Sequence, residues 1–341
     1  METGLFLRQQ VPLDKKRITF NYLEEVDDMW IHLFYELHKK LGLKHSEIWM
    51  WGGGPRRVDY KEGFVEKWFP EFPANNYKPD FIFSRGGFKE YIPVIQANPN
   101  AFKIYYGAIY KDRFNPKANG DDTDYDLIMA DSRIQYDAIK RSGYKPFKLL
   151  KPCAENIFKE LHSDKTYDIV FIANAKQKKI KGHKWFFETM KQRNYKILQI
   201  GNLDADIVKW CDGLNIDFRG WVPRKEIPEI ACKAKVGVCC STGDSCPRII
   251  PEMQAMGIPV VIRNSPGLHL WEDFVRYDSC CVMNDREGFL RAIDLFVENH
   301  KNIDARSFYE ENLSLDKISD ELISKIKISS QTASGLATRC V

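Results

Sequence analysis

The feature that most constrains the fold is an alternation of apolar runs and short helical segments in the second half of the chain. Six runs are apolar enough throughout to be strands buried on both faces, and helical segments separate most of them. The runs are residues 166–175, 194–202, 215–223, 234–240, 258–264 and 279–284. Buried strands separated by helices are typical of parallel sheets covered on both sides. The sequence therefore predicts a doubly wound α/β domain.

The first half of the chain shows the same pattern less regularly. Residues 27–42 predict a helix that ends at a glycine, and several apolar runs predict strands. These runs begin near residues 46, 78, 102, 124 and 145. Because 341 residues exceed what one compact core usually serves, we expect two domains. We predict domains at 1–158 and 159–328, followed by a disordered tail at 329–341 that is rich in small polar residues.

Composition narrows the class of protein. With 44% hydrophobic and 29% charged residues the chain is an ordinary globular protein, and a net charge of +4 is too mild to indicate nucleic-acid binding. No apolar stretch approaches the roughly 20 residues that cross a bilayer. The amino terminus has its basic residues after a short apolar patch, the wrong order for a secretory signal. We therefore expect a cytoplasmic protein.

Cysteine and histidine usage gives no indication of a metal site. The nine cysteines form no CxxC pair and lie mostly in strand-like runs, and the seven histidines are scattered. Such cysteines behave as small buried hydrophobic residues. We predict reduced thiols, no disulfide framework and no bound metal.

The segment STGDSCPRIIPEMQAMGIPVV, residues 241–261, follows a predicted strand. Open α/β sheets bind ligands beyond the carboxyl ends of their strands. A helix starting between Pro247 and Glu252, regular from about 251, directs free N–H groups at a phosphate. Asp244 and Glu252 flank this site, and their carboxylates suit hydroxyl groups on either side of it. The alternative is that Asp244 is a capping residue and Glu252 a favourable first-turn charge.

This segment resembles the signature of the retaining nucleotide-sugar glycosyltransferases of family 4, the glycosyl transferases group 1. The matching residues are Ser241, Asp244, Pro247, Arg248, Glu252, Ala255, Gly257, Pro259, Val260 and Val261. Two departures are Asp244, where the family has Glu, and Ser245-Cys246 after it. Residues 169–182 resemble the family's strand and Lys-Gly loop, and residues 216–230 resemble its segment along the nucleotide base.

The resemblance implies a GT-B fold, in which two Rossmann-like domains face a central cleft. It implies that Glu252 holds the ribose, Asp244 faces the donor sugar, and two lysines neutralise the diphosphate. It places Lys181, Lys176 and Asp244 as catalytic residues, and Glu252, Ser245, Cys246, Pro247, Arg248, Val222 and Gly201 as donor-binding residues. In the first domain it indicates Gly52, Gly53, Arg85 and Gly86. The alternative is that the lysines belong to a solvated loop and the glycines to tight turns.

The activity implied is transfer of a sugar from a UDP- or GDP-sugar to a glycan, lipid-linked or small-molecule acceptor, with retention of configuration. No metal or resident cofactor is implied, since the nucleotide-sugar is a co-substrate. Tyr105, Tyr106 and Gly107 stand where many family members carry a histidine. Two alternatives remain open, a GT-B epimerase or phosphorylase and a catalytically silent nucleotide-sugar binding protein. Basic clusters at 13–17 and 139–151 leave open contact with the cytoplasmic face of a membrane.

Overall fold

The structure, a computed structural model, divides the chain into two compact units. The first unit comprises residues 1–149 and 318–341, and the second comprises residues 150–317. The residues described below are 1–9, 28–51, 56–69, 78–85, 91–106, 125–244, 246–265, 270 and 279–337.

The first unit is built on a mostly parallel sheet. Its strands are β1 Thr3–Gln9, β2 His45–Trp51, β3 Arg56–Lys61, β4 Phe64–Phe69, β5 Phe81–Arg85, β6 Phe102–Tyr106, β7 Leu127–Ala130 and β8 Pro146–Lys148. Its helices are α1 Met29–Lys40, α2 Ile92–Gln96 and α3 Arg133–Arg141. The strand order is β3-β4-β2-β1-β5-β6-β7-β8, and the β3–β4 pair is antiparallel.

Strand β1 lies in the interior of this sheet, parallel to both β2 and β5. Its residues Leu5, Phe6 and Leu7 are fully buried. The Phe6 ring stacks on Phe34 of α1, with 4.4 Å between ring centroids. Three successive apolar residues suit a strand whose two faces are both covered. The apolar patch at the amino terminus is therefore a central strand of the core.

The second unit contains a fully parallel sheet. Its strands are β9 Tyr167–Ile172, β10 Ile197–Ile200, β11 Ile216–Phe218, β12 Ala234–Cys239, β13 Val260–Arg263 and β14 Cys280–Met283. Its helices are α4 Lys178–Lys181, α5 His183–Met190, α6 Ala205–Trp210, α7 Ile227–Ala231, α8 Ile249–Ala255, α9 Arg286–Asn299 and α10 Ala305–Asn312. The strand order is β11-β10-β9-β12-β13-β14. The chain leaves β9 toward one edge and returns at β12 on the other side, so the strand order reverses between β9 and β12.

Helix α11, Leu315–Ala337, is divided between the two units. Its first three residues belong to the second unit, and its residues from Ile318 onward belong to the first. The predicted boundary at 328 falls within this helix, which continues to Ala337; residues 338–341 of the predicted tail lie outside the described residues. Within residues 315–326 apolar side chains recur at helical spacing, and Ile318, Leu322 and Ile326 are buried. In the portions of the chain described, no helix combines the length and apolar character needed to span a bilayer.

The predicted doubly wound architecture is confirmed, and each strand predicted for the second half is present. Strand β1 and the β3–β4 hairpin were not predicted from the sequence. The hairpin turns at Glu62 and Gly63, both with positive φ. A two-residue turn of this kind joins antiparallel strands closely, and charged residues interrupt the apolar residues of both strands, RRVDYK and FVEKWF.

Candidate functional site

The loops that follow β9 and β12 meet at the place where the strand order reverses. These two strands are parallel neighbours in the sheet, so their carboxyl ends lie side by side. In open α/β sheets such a switch point forms the ligand-binding crevice. The side chains in these two loops are therefore candidates for ligand binding.

Gly182 brings the two loops together. It has φ +72°, and a Cβ added there would lie 2.1 Å from the carbonyl oxygen of Cys240, the residue after β12. Glycine is required because it alone combines this backbone angle with so close an approach. The amide of Thr242 also donates to the carbonyl of Ile180 at 2.6 Å. Lys181 is thus held between two anchored residues.

The Lys181 ammonium donates to the Asp244 carboxylate, with 2.5 Å between Nζ and Oδ2. The side chains are 23% and 27% exposed, so the pair is partly shielded from water but open on one side. Among the described residues, Asp244 is the hydrogen-bonding partner of this ammonium. Since an ammonium has three N–H donors, Lys181 can keep Asp244 and still donate to an anion. The structure therefore brings together two of the three residues predicted to be catalytic.

Glu252 makes a second ion pair, with an arginine that the sequence analysis did not single out. Arg224 Nη2 donates to Glu252 Oε1 at 2.8 Å. The carboxylate is only 8% exposed and the guanidinium 27%. Arg224 follows β11 in the Val-Pro-Arg stretch, within one of the strand-end loops predicted to carry ligand-binding residues. That position was the signal in the sequence that could have identified it.

Helix α8 begins at Ile249, two residues earlier than predicted. The Pro247 carbonyl accepts the Ile250 amide at 3.2 Å, so residues 247–250 form a turn that leads into the helix. Ahead of it Cys246 and Pro247 are buried, whereas Arg248 is exposed. Glu252 lies in the first helical turn, where a carboxylate is also favoured by the helix dipole. The alternative interpretation of Glu252 as a first-turn charge thus coexists with its ion pair.

A cavity of about 510 Å³ opens beside Lys176, at the ends of β9, β10 and β11. Lys176 itself is exposed on its wall. Gly201 has φ +135°, and a Cβ there would lie 2.0 Å from the Ala173 carbonyl oxygen, so it keeps two strand ends in contact. Val222, in the loop that follows β11, is half-buried. The cavity is lined by Ala175, Lys176, Asn202, Leu203, Asp204 and Gly220.

Lys178, a third lysine of this loop, is bound to two aspartates. Its Nζ lies 2.6 Å from Asp204 Oδ2 and 2.5 Å from Asp206 Oδ2. The hydrogen bonds to Asp204 and then Asp206 raise the pKa of this lysine above its ordinary value. Asp204 also caps α6 through the Ile207 amide at 3.0 Å. Lys178 therefore anchors the loop, whereas Lys181 pairs with Asp244 and Lys176 is exposed.

In the first unit, Arg85 is the last residue of β5 and not part of a loop. Its guanidinium lies over the Trp30 ring, 5.0 Å from the centroid. Tyr106, at the end of the neighbouring strand, is buried and donates a hydrogen bond to the buried Asp131 carboxylate. The position where the family carries a histidine is thus filled by a tyrosine–carboxylate pair. Four of the predicted site residues, Ser245, Gly52, Gly53 and Gly86, lie outside the described residues.

No group of three or more His, Cys, Asp or Glu side chains that could hold a metal ion occurs within the described ranges. The chemistry that this arrangement supplies is electrostatic. Two cations, Lys181 and Arg224, and two carboxylates, Asp244 and Glu252, lie on loops or helix ends that follow the parallel strands β9, β11 and β12. Such a set is suited to binding a molecule that carries both phosphate groups and hydroxyls.

Residues 166–299 match the family model described as glycosyl transferases group 1. The chain is also 27% identical over 139 residues to a Klebsiella pneumoniae protein described as an uncharacterized 41.2 kDa protein in the cps region. That similarity covers 40% of this chain and 37% of the relative, which is well under half of the relative's length.

Solved structures match over almost the whole chain. A glycosyltransferase from Rickettsia africae superposes with a TM-score of 0.70 and 14% identity, over 96% of this chain and 98% of that chain. Sucrose-phosphate synthase from Thermosynechococcus elongatus gives 0.69 and 11%, over 98% and 100%. Anabaena HepE in complex with UDP-glucose gives 0.63 and 13%, over 96% and 100%. The fold is therefore GT-B, and the group 1 domain together with these neighbours supports a GT-B glycosyltransferase.

Proposed function

We propose that this protein is a metal-independent, retaining glycosyltransferase of family 4 that uses a nucleoside diphosphate sugar and needs no resident cofactor. The observation that carries the proposal is a set of two ion pairs, Lys181–Asp244 and Arg224–Glu252, on segments that follow the parallel strands β9, β11 and β12. The match of residues 166–299 to the group 1 family model supports it, because both pairs lie inside that region.

In this proposal the leaving group is a nucleoside diphosphate. The bond between the anomeric carbon and the distal phosphate oxygen breaks, and the phosphate gains negative charge. Lys181 stabilises this charge, because a fixed ammonium in a partly shielded site interacts more strongly than one in water. The acceptor hydroxyl oxygen bonds to the anomeric carbon on the face that the phosphate leaves, and its proton passes to the phosphate oxygen.

The two carboxylates bind hydroxyls in this proposal. Glu252 holds the ribose, and Asp244 holds a hydroxyl of the donor sugar while remaining paired with Lys181. Ionised carboxylates form hydrogen bonds roughly twice as strong as neutral groups. The acceptor is a glycan, a lipid-linked molecule or a small molecule, and we propose that the reaction takes place in the cytoplasm. UDP-glucose is the first donor to test, since the structural neighbour HepE is seen with it.

The test compares Glu252→Gln with Glu229→Gln, an exposed glutamate on α7. Isothermal titration with UDP and GDP should show affinity about 10- to 100-fold weaker for Glu252→Gln, because the charged acceptor is lost, and no change for the control. Equal nucleotide affinity in both variants would remove Glu252 from the donor site. Product analysis with labelled donor in the presence of EDTA then tests transfer, retention and metal independence, and inactivity with EDTA would contradict the last.

A further inference from the structure

Arg224 is fixed from two sides. Its Nη2 donates to Glu252 Oε1 at 2.8 Å, and its Cζ lies 5.0 Å from the centroid of the Phe158 ring. Phe158 is fully buried, so the ring provides an immobile surface. A guanidinium stacks on such a ring and donates in its own plane at the same time. The direction of the Arg224 donors is therefore set by packing as well as by charge.

The Glu252 carboxylate is buried against this arginine. A carboxylate that is 8% exposed loses most of its hydration, and a buried charge persists only when it is paired. Arg224 is the cation paired with it among the described residues. Because a guanidinium stays protonated at any ordinary pH, Arg224 keeps its positive charge. The contact occupies Oε1, and no described residue is hydrogen-bonded to Oε2.

We propose that Arg224 is a positioning residue for the nucleotide. Its guanidinium holds Oε1 of Glu252, so that Oε2 is presented in a fixed direction to a ribose hydroxyl. This inference rests on the proposed function, because it assigns a second residue to the same donor site. A lysine supplies the charge without the planar fork or the stacking on Phe158, so it should replace Arg224 only in part.

The experiment is a double-mutant cycle on the full-length protein. UDP affinity is measured by isothermal titration for Arg224→Ala, Glu252→Ala, the double variant and Arg224→Lys. Arg193→Ala is the matched control, since Arg193 is similarly exposed (35%) and paired with Asp294 at 3.3 Å. We expect Arg224→Ala and Glu252→Ala each to weaken UDP binding about 10- to 100-fold. The double variant should bind no more weakly than Glu252→Ala, and Arg224→Lys should lie between wild type and Arg224→Ala.

Calorimetric melting of each variant without nucleotide separates positioning from folding. A structural role would lower the melting temperature of Arg224→Ala and leave UDP affinity unchanged, which would overturn the inference. Multiplicative losses of affinity in the double variant would also overturn it, because the two residues would then act independently. If Glu252→Ala binds UDP like wild type, the donor-site assignment fails first and this inference fails with it. If Glu252→Ala weakens binding and Arg224→Ala does not, only this inference fails.

Discussion

Replacing Gly182 by alanine tests how the site is assembled. The residue has φ +72°, and the new Cβ would lie 2.1 Å from the Cys240 carbonyl oxygen. The left-handed backbone alone costs about 1–2 kcal/mol for a residue with a side chain. Ordinary contact begins near 3.4 Å, so the two loops must also separate by about 1 Å. Forcing such a shift in a packed region costs about 1–3 kcal/mol more.

Gly213→Ala is the matched control. Gly213 has φ +80° in the same unit, with nothing within 4 Å of its added Cβ. It should therefore show the backbone cost without the clash. For a unit of this size, 1 kcal/mol corresponds to about 2–4 °C in melting temperature. Taking about 2 kcal/mol for the clash, Gly182→Ala should melt about 4–8 °C below Gly213→Ala by differential scanning calorimetry.

The same substitution should affect the chemistry. Separating the loops by about 1 Å moves Lys181 relative to Asp244, and a displacement of that size can cost about 100-fold in rate. Transfer from UDP-glucose, if that is the donor, should fall accordingly in Gly182→Ala and stay near wild type in Gly213→Ala. Equal melting temperatures and equal rates for the two variants would refute the account of Gly182 as the residue that joins the two loops.

Two further predictions concern charge and burial. Lys181→Ala should lower the rate of sugar transfer about 100- to 1000-fold. It should change the melting temperature little, because a partly exposed ion pair contributes about 0–1 kcal/mol. Lys179→Ala, at an exposed lysine, is the control, and equal rates for both variants would exclude Lys181 from catalysis. Burial raises the pKa of Cys211 and Cys281 from 9.0 to about 12. Between these values the unfolded thiols lose protons that the folded ones keep, so stability should fall as the pH rises from 9 toward 12. Between pH 8 and pH 10 the melting temperature of the double variant Cys211→Ala, Cys281→Ala should fall less than that of wild type. An identical fall would contradict the raised pKa values of these two thiols.

The sequence alone determined the architecture of the second unit. In the strand Val260–Arg263 the first three residues are apolar and buried, because a parallel strand covered on both faces buries successive side chains. The same logic placed the candidate residues after strands. It failed at the β3–β4 hairpin, whose strands lack a continuous apolar run, and at Thr3–Gln9, where a short patch gave too little periodicity to recognise.

Only the tertiary structure decided which charges meet. Asp244 is 63 residues from Lys181, and Glu252 is 28 residues from Arg224. Local sequence carries no record of such pairs, because they depend on the order of strands in the sheet and on the close approach at Gly182. The sequence therefore specified the residues that could bind phosphate and hydroxyl groups, since those are properties of single side chains. Partner choice and burial depend on chain segments far apart in sequence, and the fold alone brings those together.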